Sequence, residues 1–144
     1  MAAESRPRIL VICIHNSARS QMAEEYIRKF TEGRVFVESA GIEPGKLNPD
    51  VVKLLQEEGI DISGKQTRKA LDLYEQGNRY DYVITVCSDE ARERCPVYPG
   101  VTRRLHWPFP DPSALRGNDT LEQTREIRDM IRKRVEAFVR DELL

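Results

Sequence analysis

Residues Cys13 to Ser20, CIHNSARS, constrain this chain more than any other stretch. An apolar run, Ile9-Leu10-Val11-Ile12, precedes them, and a helix-like run, Gln21 to Ile27, follows. That order predicts a strand, a tight loop and a helix start. Asn16, Ser17 and Ala18 are small or turn-tolerant, so the loop can curl with successive backbone N–H groups pointing inward. Such a nest, placed at the positive end of a helix dipole, suits an oxyanion. Ile14, His15, Asn16, Ser17, Ala18, Arg19 and Ser20 are therefore the expected anion-binding residues. The guanidinium of Arg19 offers a planar fork that matches a tetrahedral oxyanion. The His15 side chain is expected to point outward, because the loop offers backbone to its ligand.

Cys13 would lie beneath the anion. Inward N–H donors, a helix N-terminus and a guanidinium all favour thiolate over thiol, and Ser20 can donate one more hydrogen bond. Cys13 thus reads as a nucleophile toward the central atom of the oxyanion. A buried strand-end thiol is the plainer reading of a lone cysteine. Arg19, six positions on in a strand–loop–helix context, favours the nucleophile.

The rest of the chain supplies a scaffold. With 144 residues it is long enough for one domain with a real core, spanning 1–144 with 1–7 as a flexible arm. A net charge of −1 argues against nucleic acid as a partner. No secretory signal is expected from MAAESRPR, and no run reaches membrane-spanning length. Three cysteines, an odd number, argue against a static disulfide framework and for a reducing cytoplasm.

Strands are expected at Arg8–Ile14, Val35–Ser39, Tyr82–Cys87 and Val101–Trp107. Helices are expected from Ser17 to about Phe30, from Pro49 to just before Gly59, around Ala70–Tyr74, and from Thr120 to Leu144. The alternation predicts an α/β fold: a four-stranded parallel sheet flanked by helices. Sites in open sheets of this kind lie beyond the carboxyl ends of the strands, which puts Cys13, Cys87 and Asp111 on one rim.

In a 2-1-3-4 strand order, with neighbouring strands about 4.8 Å apart, Cys13 and Cys87 meet at that rim. Cys87 is then placed to attack Cys13 once Cys13 carries an adduct. If 88–94 is helical, the Cα atoms of Cys87 and Cys95 are roughly 12 Å apart. A disulfide needs them within about 7 Å. The sequence SDEARER has almost nothing apolar to hold it to a core, so it is cheap to unfold locally and suits a redox switch. In HWPFPDP, three prolines fix the path and two aromatics are expected to wall off a pocket. There a raised pKa would let Asp111 hold a proton for a leaving oxygen. His106 reads as a strand-end residue, and no His/Cys cluster has metal-ligand spacing.

Together CIHNSARSQMAE, SAGIEP, GIDISGK, VITVC…CPVYPG and HWPFPDP resemble the arsenate reductases built on the low-molecular-weight tyrosine phosphatase fold. The resemblance implies a sheet in the order 2-1-3-4 and a relay. Cys13 attacks arsenate held by the loop and Arg19, and Asp111 assists loss of an oxygen. Cys87 attacks Cys13 and releases arsenite, Cys95 attacks Cys87, and thioredoxin reduces the Cys87–Cys95 bond. Phosphate and sulfate are expected as competing oxyanions. A phosphate-monoester hydrolase acting on phosphotyrosine or small phosphates is the alternative, and needs only Cys13, Arg19 and Asp111. Ala18, Gln21 and the Ser113-Ala114 pair depart from the phosphatase pattern and favour the reductase. No cofactor is implied. Some reductases of the family hold a potassium ion beside the loop. Asn16, Glu24 and Ser39 match positions used there, but Gln66-Thr67-Arg68 does not reproduce the later Thr and Asp, which counts against a cation.

Overall fold

The structure, a computed structural model, describes residues 6–87, 98–101, 103–115, 117 and 119–143. Cys95 and the 88–94 segment lie outside the described residues. The elements run β1 (Arg8–Cys13), α1 (Arg19–Thr31), β2 (Phe36–Gly41), α2 (Pro49–Gln56), α3 (Ala70–Glu75), β3 (Tyr82–Thr85), β4 (Arg103–His106) and α4 (Thr120–Phe138). The four strands form one parallel sheet in the order β2-β1-β3-β4, as the sequence predicts.

β1 is apolar at every position from Ile9 to Ile12 because both its faces are covered. Ile9, Val11 and Cys13 point to one side, where they join Met22, Tyr26 and Ile27 of α1 and Ile131, Val135 and Phe138 of α4. Leu10 and Ile12 point to the other, against Ala70, Leu73, Tyr80 and Tyr98. Each such buried side chain contributes about 1.5–3 kcal/mol relative to exposure, so β1 anchors the loop that follows it.

Several boundaries differ from expectation: β1 ends at Cys13, β2 runs from Phe36 to Gly41, β3 stops at Thr85 and β4 spans Arg103 to His106. α1 starts at Arg19 rather than Ser17, because Ile14 to Ala18 are spent on the loop. α4 gives way after Phe138 to a wider π-type turn over Val139–Leu143. The Pro7 carbonyl accepts from Phe36 N–H at 2.8 Å, the bond that flanks the first paired residues, Arg8 and Phe36. The start of α2 follows expectation. Pro49 takes the first helical position, and the Asn48 side chain accepts from Asp50 N–H at 2.8 Å. Among the described residues no helix is long and apolar enough to cross a membrane.

Candidate oxyanion-binding site

The loop between β1 and α1 has every carbonyl from Cys13 to Ala18 turned away from its hollow. Ile42 N–H donates to Cys13 O, Glu43 N–H to Ile14 O and Gly45 N–H to His15 O, at 3.3, 2.9 and 3.0 Å. The Gln21 amide donates to Asn16 O, Asn48 N–H to Ser17 O and Met22 N–H to Ala18 O, each at 3.0 Å. In a curled loop whose carbonyls all face outward, the N–H groups line the concave side. One of them shows this directly: Asn16 N–H donates to Cys13 Sγ at 3.1 Å. Asn16 reaches this geometry with φ of 56°, a left-handed conformation that asparagine tolerates.

The strap that takes four of these carbonyls, residues 41–48, passes very close. A Cβ on Gly41 would lie 2.7 Å from Ile14 O and 2.9 Å from Asn16 N. Only glycine fits between the second strand and the loop.

Cys13 is a buried free thiol. Ser20 Oγ lies 3.0 Å from its sulfur and accepts from Asn16 Nδ2 at 2.7 Å. Arg19 is also buried, and its guanidinium is fixed from the far side of the rim. It donates to Phe109 O at 3.1 Å and Val86 O at 3.5 Å, and pairs with Asp111 at 3.4 Å. Cys13, Arg19 and Asp111 are thus gathered at one end of the sheet. Cys87 follows Val86, whose N–H donates to Ile12 O at 2.9 Å, so β3 delivers it beside the end of β1. Both cysteines are buried, but Cys87 is disulfide-bonded and Cys13 is free.

Other expectations resolve in physical terms. His15 does point outward, its Nδ1 meeting Glu43 O at 3.0 Å. His106 ends β4 and meets Thr85 Oγ1 at 2.6 Å. The rings of Trp107 and Phe109 are buried in the core cluster that also holds Cys13 and Ala18, Trp107 edge-on to Phe138 with centroids 5.3 Å apart. It is the backbone of Phe109 that serves the site.

Behind the loop, Asn16, Ser39, Glu24, Lys65 and Arg28 form one connected polar cluster, which their separate places in the sequence do not reveal. Asn16 Nδ2 donates to Ser39 Oγ at 2.9 Å, and Ser39 donates to Glu24 Oε1 at 2.6 Å. Lys65 Nζ sits 2.9 Å from the same Glu24 oxygen, and Arg28 takes the other at 2.6 Å. Burial opposes ionisation of Glu24, but the Lys65 charge and the bonds from Ser39 and Arg28 outweigh it, holding the carboxyl below its ordinary value. Gly41 and Gln21 were also missed as parts of the site. The only signal for Gln21 was its place directly after Arg19-Ser20.

A buried thiol at the end of a central parallel strand, under a ring of backbone N–H groups and an arginine, defines a cysteine-based oxyanion-handling protein. The chain belongs to the low-molecular-weight phosphotyrosine protein phosphatase family, whose sequence model matches residues 8–143. An arsenate reductase of Oceanobacillus iheyensis is 38% identical over 138 residues, covering 94% of this chain and 97% of that one. A solved arsenate reductase in its phosphate-binding state superposes with a TM-score of 0.76 at 28% identity, covering 93% of this chain and 97% of the other. A thioredoxin-dependent arsenate reductase of Corynebacterium glutamicum superposes with a TM-score of 0.69 at 32% identity, covering 96% of this chain and 65% of that one.

Proposed function

We propose that the chain is an arsenate reductase that converts arsenate to arsenite by a Cys13/Cys87/Cys95 relay regenerated by thioredoxin. The observation that carries this reading is a free thiol, Cys13, at the end of β1, with a second cysteine, the disulfide-bonded Cys87, two residues past the end of the neighbouring β3. Hydrolysis of a phosphate ester has no use for the second.

In this reading the N–H ring and Arg19 hold arsenate with its central atom over the Cys13 sulfur. The thiolate attacks arsenic, and Asp111, beside Arg19, gives a proton to the departing oxygen, which leaves as water. Cys87 then attacks the Cys13 sulfur. The sulfur–arsenic bond breaks, and its electron pair stays on arsenic, which leaves as arsenite. Two thiols have become one disulfide, matching the two electrons that arsenic gains. Cys95 attacks Cys87 and frees Cys13, and thioredoxin returns the Cys87–Cys95 pair to dithiol. The named relatives support the substrate, and the Corynebacterium glutamicum protein supports the donor. A cytoplasmic location fits a relay that needs reduced thioredoxin. Phosphate and sulfate compete for the loop, and slow phosphate-monoester hydrolysis accompanies the main activity, because the loop does not distinguish the anions.

The test is NADPH oxidation by thioredoxin reductase and thioredoxin in low phosphate, with this protein present. Arsenate-dependent consumption that is lost in Cys95→Ser supports the relay and its donor together. Turnover of a chromogenic phosphate ester, with no arsenate-dependent consumption under thioredoxin or glutaredoxin, overturns it in favour of a hydrolase.

A further inference from the structure

We propose that the Lys65 ammonium is a built-in cation that stands where a monovalent metal ion would otherwise sit, and that through Glu24 it orients Asn16 and Ser20 around Cys13. Lys65 is then a positioning residue. The proposal rests on Cys13 being the nucleophile and is independent of which oxyanion it attacks.

Arg68 N–H, which can only donate, meets Asn16 Oδ1 at 2.9 Å. Gln21 Nε2 meets the same oxygen at 3.2 Å. The Asn16 amide is therefore fixed with its oxygen turned away from Glu24 and its NH2 group toward Ser20 and Ser39. Ser39 Oγ accepts from that NH2, so its own proton goes to Glu24. Ser20 Oγ accepts from the same NH2, so its proton is free for the Cys13 sulfur. A continuous chain runs from Lys65 through Glu24, Ser39, Asn16 and Ser20 to the thiol.

A metal ion at Asn16, Glu24 and Ser39 does not fit this arrangement. A cation needs oxygen lone pairs. Asn16 presents N–H donors on that side, Ser39 Oγ already accepts, and both Glu24 oxygens are taken by Ser39, Lys65 and Arg28. The charges also close without an ion: Glu24 and Glu25 face Lys65 and Arg28, with Lys65 2.8 Å and Arg28 2.8 Å from Glu25. An added cation would be unpaired in a largely buried cluster.

The experiment compares potassium chloride with tetramethylammonium chloride at equal ionic strength on the full, reduced chain. It reads thermal unfolding and the rate of Cys13 alkylation by iodoacetamide, followed by mass spectrometry. Neither readout needs arsenate or thioredoxin, so failure here is separate from failure of the reductase reading. Native protein should give the same values in both salts. Lys65→Ala should alkylate about fivefold more slowly. Its Tm should fall by about 3 °C. Potassium should restore at least half of both losses, because Glu24 and Glu25 then recruit an ion. Lys65→Arg should stay near the native values in either salt. Potassium-specific stabilisation of the native protein would overturn the proposal, and this arm needs no variant to fold. So would Lys65→Ala behaving as native, or losses that potassium does not touch, which would make Lys65 an ordinary ion pair.

Discussion

Ser20 Oγ lies 3.0 Å from Cys13 Sγ and already accepts a hydrogen bond from Asn16, so its hydroxyl proton is directed at the sulfur. That proton favours the thiolate, and with it the rate of every reaction the thiolate performs. A hydrogen bond to a charged group contributes about 1.5–3 kcal/mol. Ser20→Ala should slow iodoacetamide alkylation of Cys13 at neutral pH by about tenfold or more. An unchanged rate would mean that Ser20 serves only to hold Asn16.

Gly41 is the tightest packing constraint on the loop. In Gly41→Ala the new methyl meets backbone atoms at 2.7 and 2.9 Å, and backbone cannot swing aside as a flexible side chain can. Either β2 or the loop must move. Overpacking of this kind costs about 1–3 kcal/mol. The expected result is a Tm lowered by several degrees and weakened phosphate binding by calorimetry. Full phosphate affinity in a well-folded Gly41→Ala protein would show that the strap does not shape the nest.

The contrast between Ser20 and Gly41 explains what the sequence made legible. Cys13, Arg19 and Ser20 lie within one local motif, and local order alone places them around a common point. The parallel sheet also follows from runs such as Arg8–Ile14 and Tyr82–Cys87, whereas its strand order is implied only by the family resemblance. Gly41 reads as an ordinary turn residue until the register Cys13↔Gly41 sets it against the loop. Glu24 and Lys65 are far apart in sequence, and no periodicity links them before α1 and the 61–69 stretch are packed together. Likewise, the burial of Trp107 and Phe109 in the main core, Trp107 edge-on to Phe138, depends on packing that HWPFPDP alone does not display.

Cys87 separates the two chemistries of the fold. Cys87→Ser should still form one arsenate-derived adduct on Cys13, visible by mass spectrometry of the intact protein. Arsenate-dependent NADPH consumption should drop to background, because no thiol displaces the arsenic from Cys13. Hydrolysis of a chromogenic phosphate ester, which uses only Cys13, Arg19 and Asp111, should persist. Sustained arsenate turnover in Cys87→Ser would remove Cys87 from the relay.

Glu24 gives the molecule an acid-sensitive element. Burial works against its charge, yet Lys65, Ser39 and Arg28 keep its carboxyl below the ordinary value. A carboxyl that is more acidic when folded than when unfolded adds stability above its unfolded pKa of about 4.3. That stability is lost as pH falls through the lower folded value, where the native state must take up the proton. Stability measured by urea unfolding from pH 6 down to pH 3 should therefore fall in the native protein, in part through this group. Glu24→Gln should be less stable at pH 6, since Lys65 and Arg28 lose their shared counter-charge. It should also fall less steeply below about pH 4.5, since the titrating group is gone. If both proteins lose stability in parallel over that range, other carboxylates carry the acid limb and the Glu24 cluster is held by packing instead of charge.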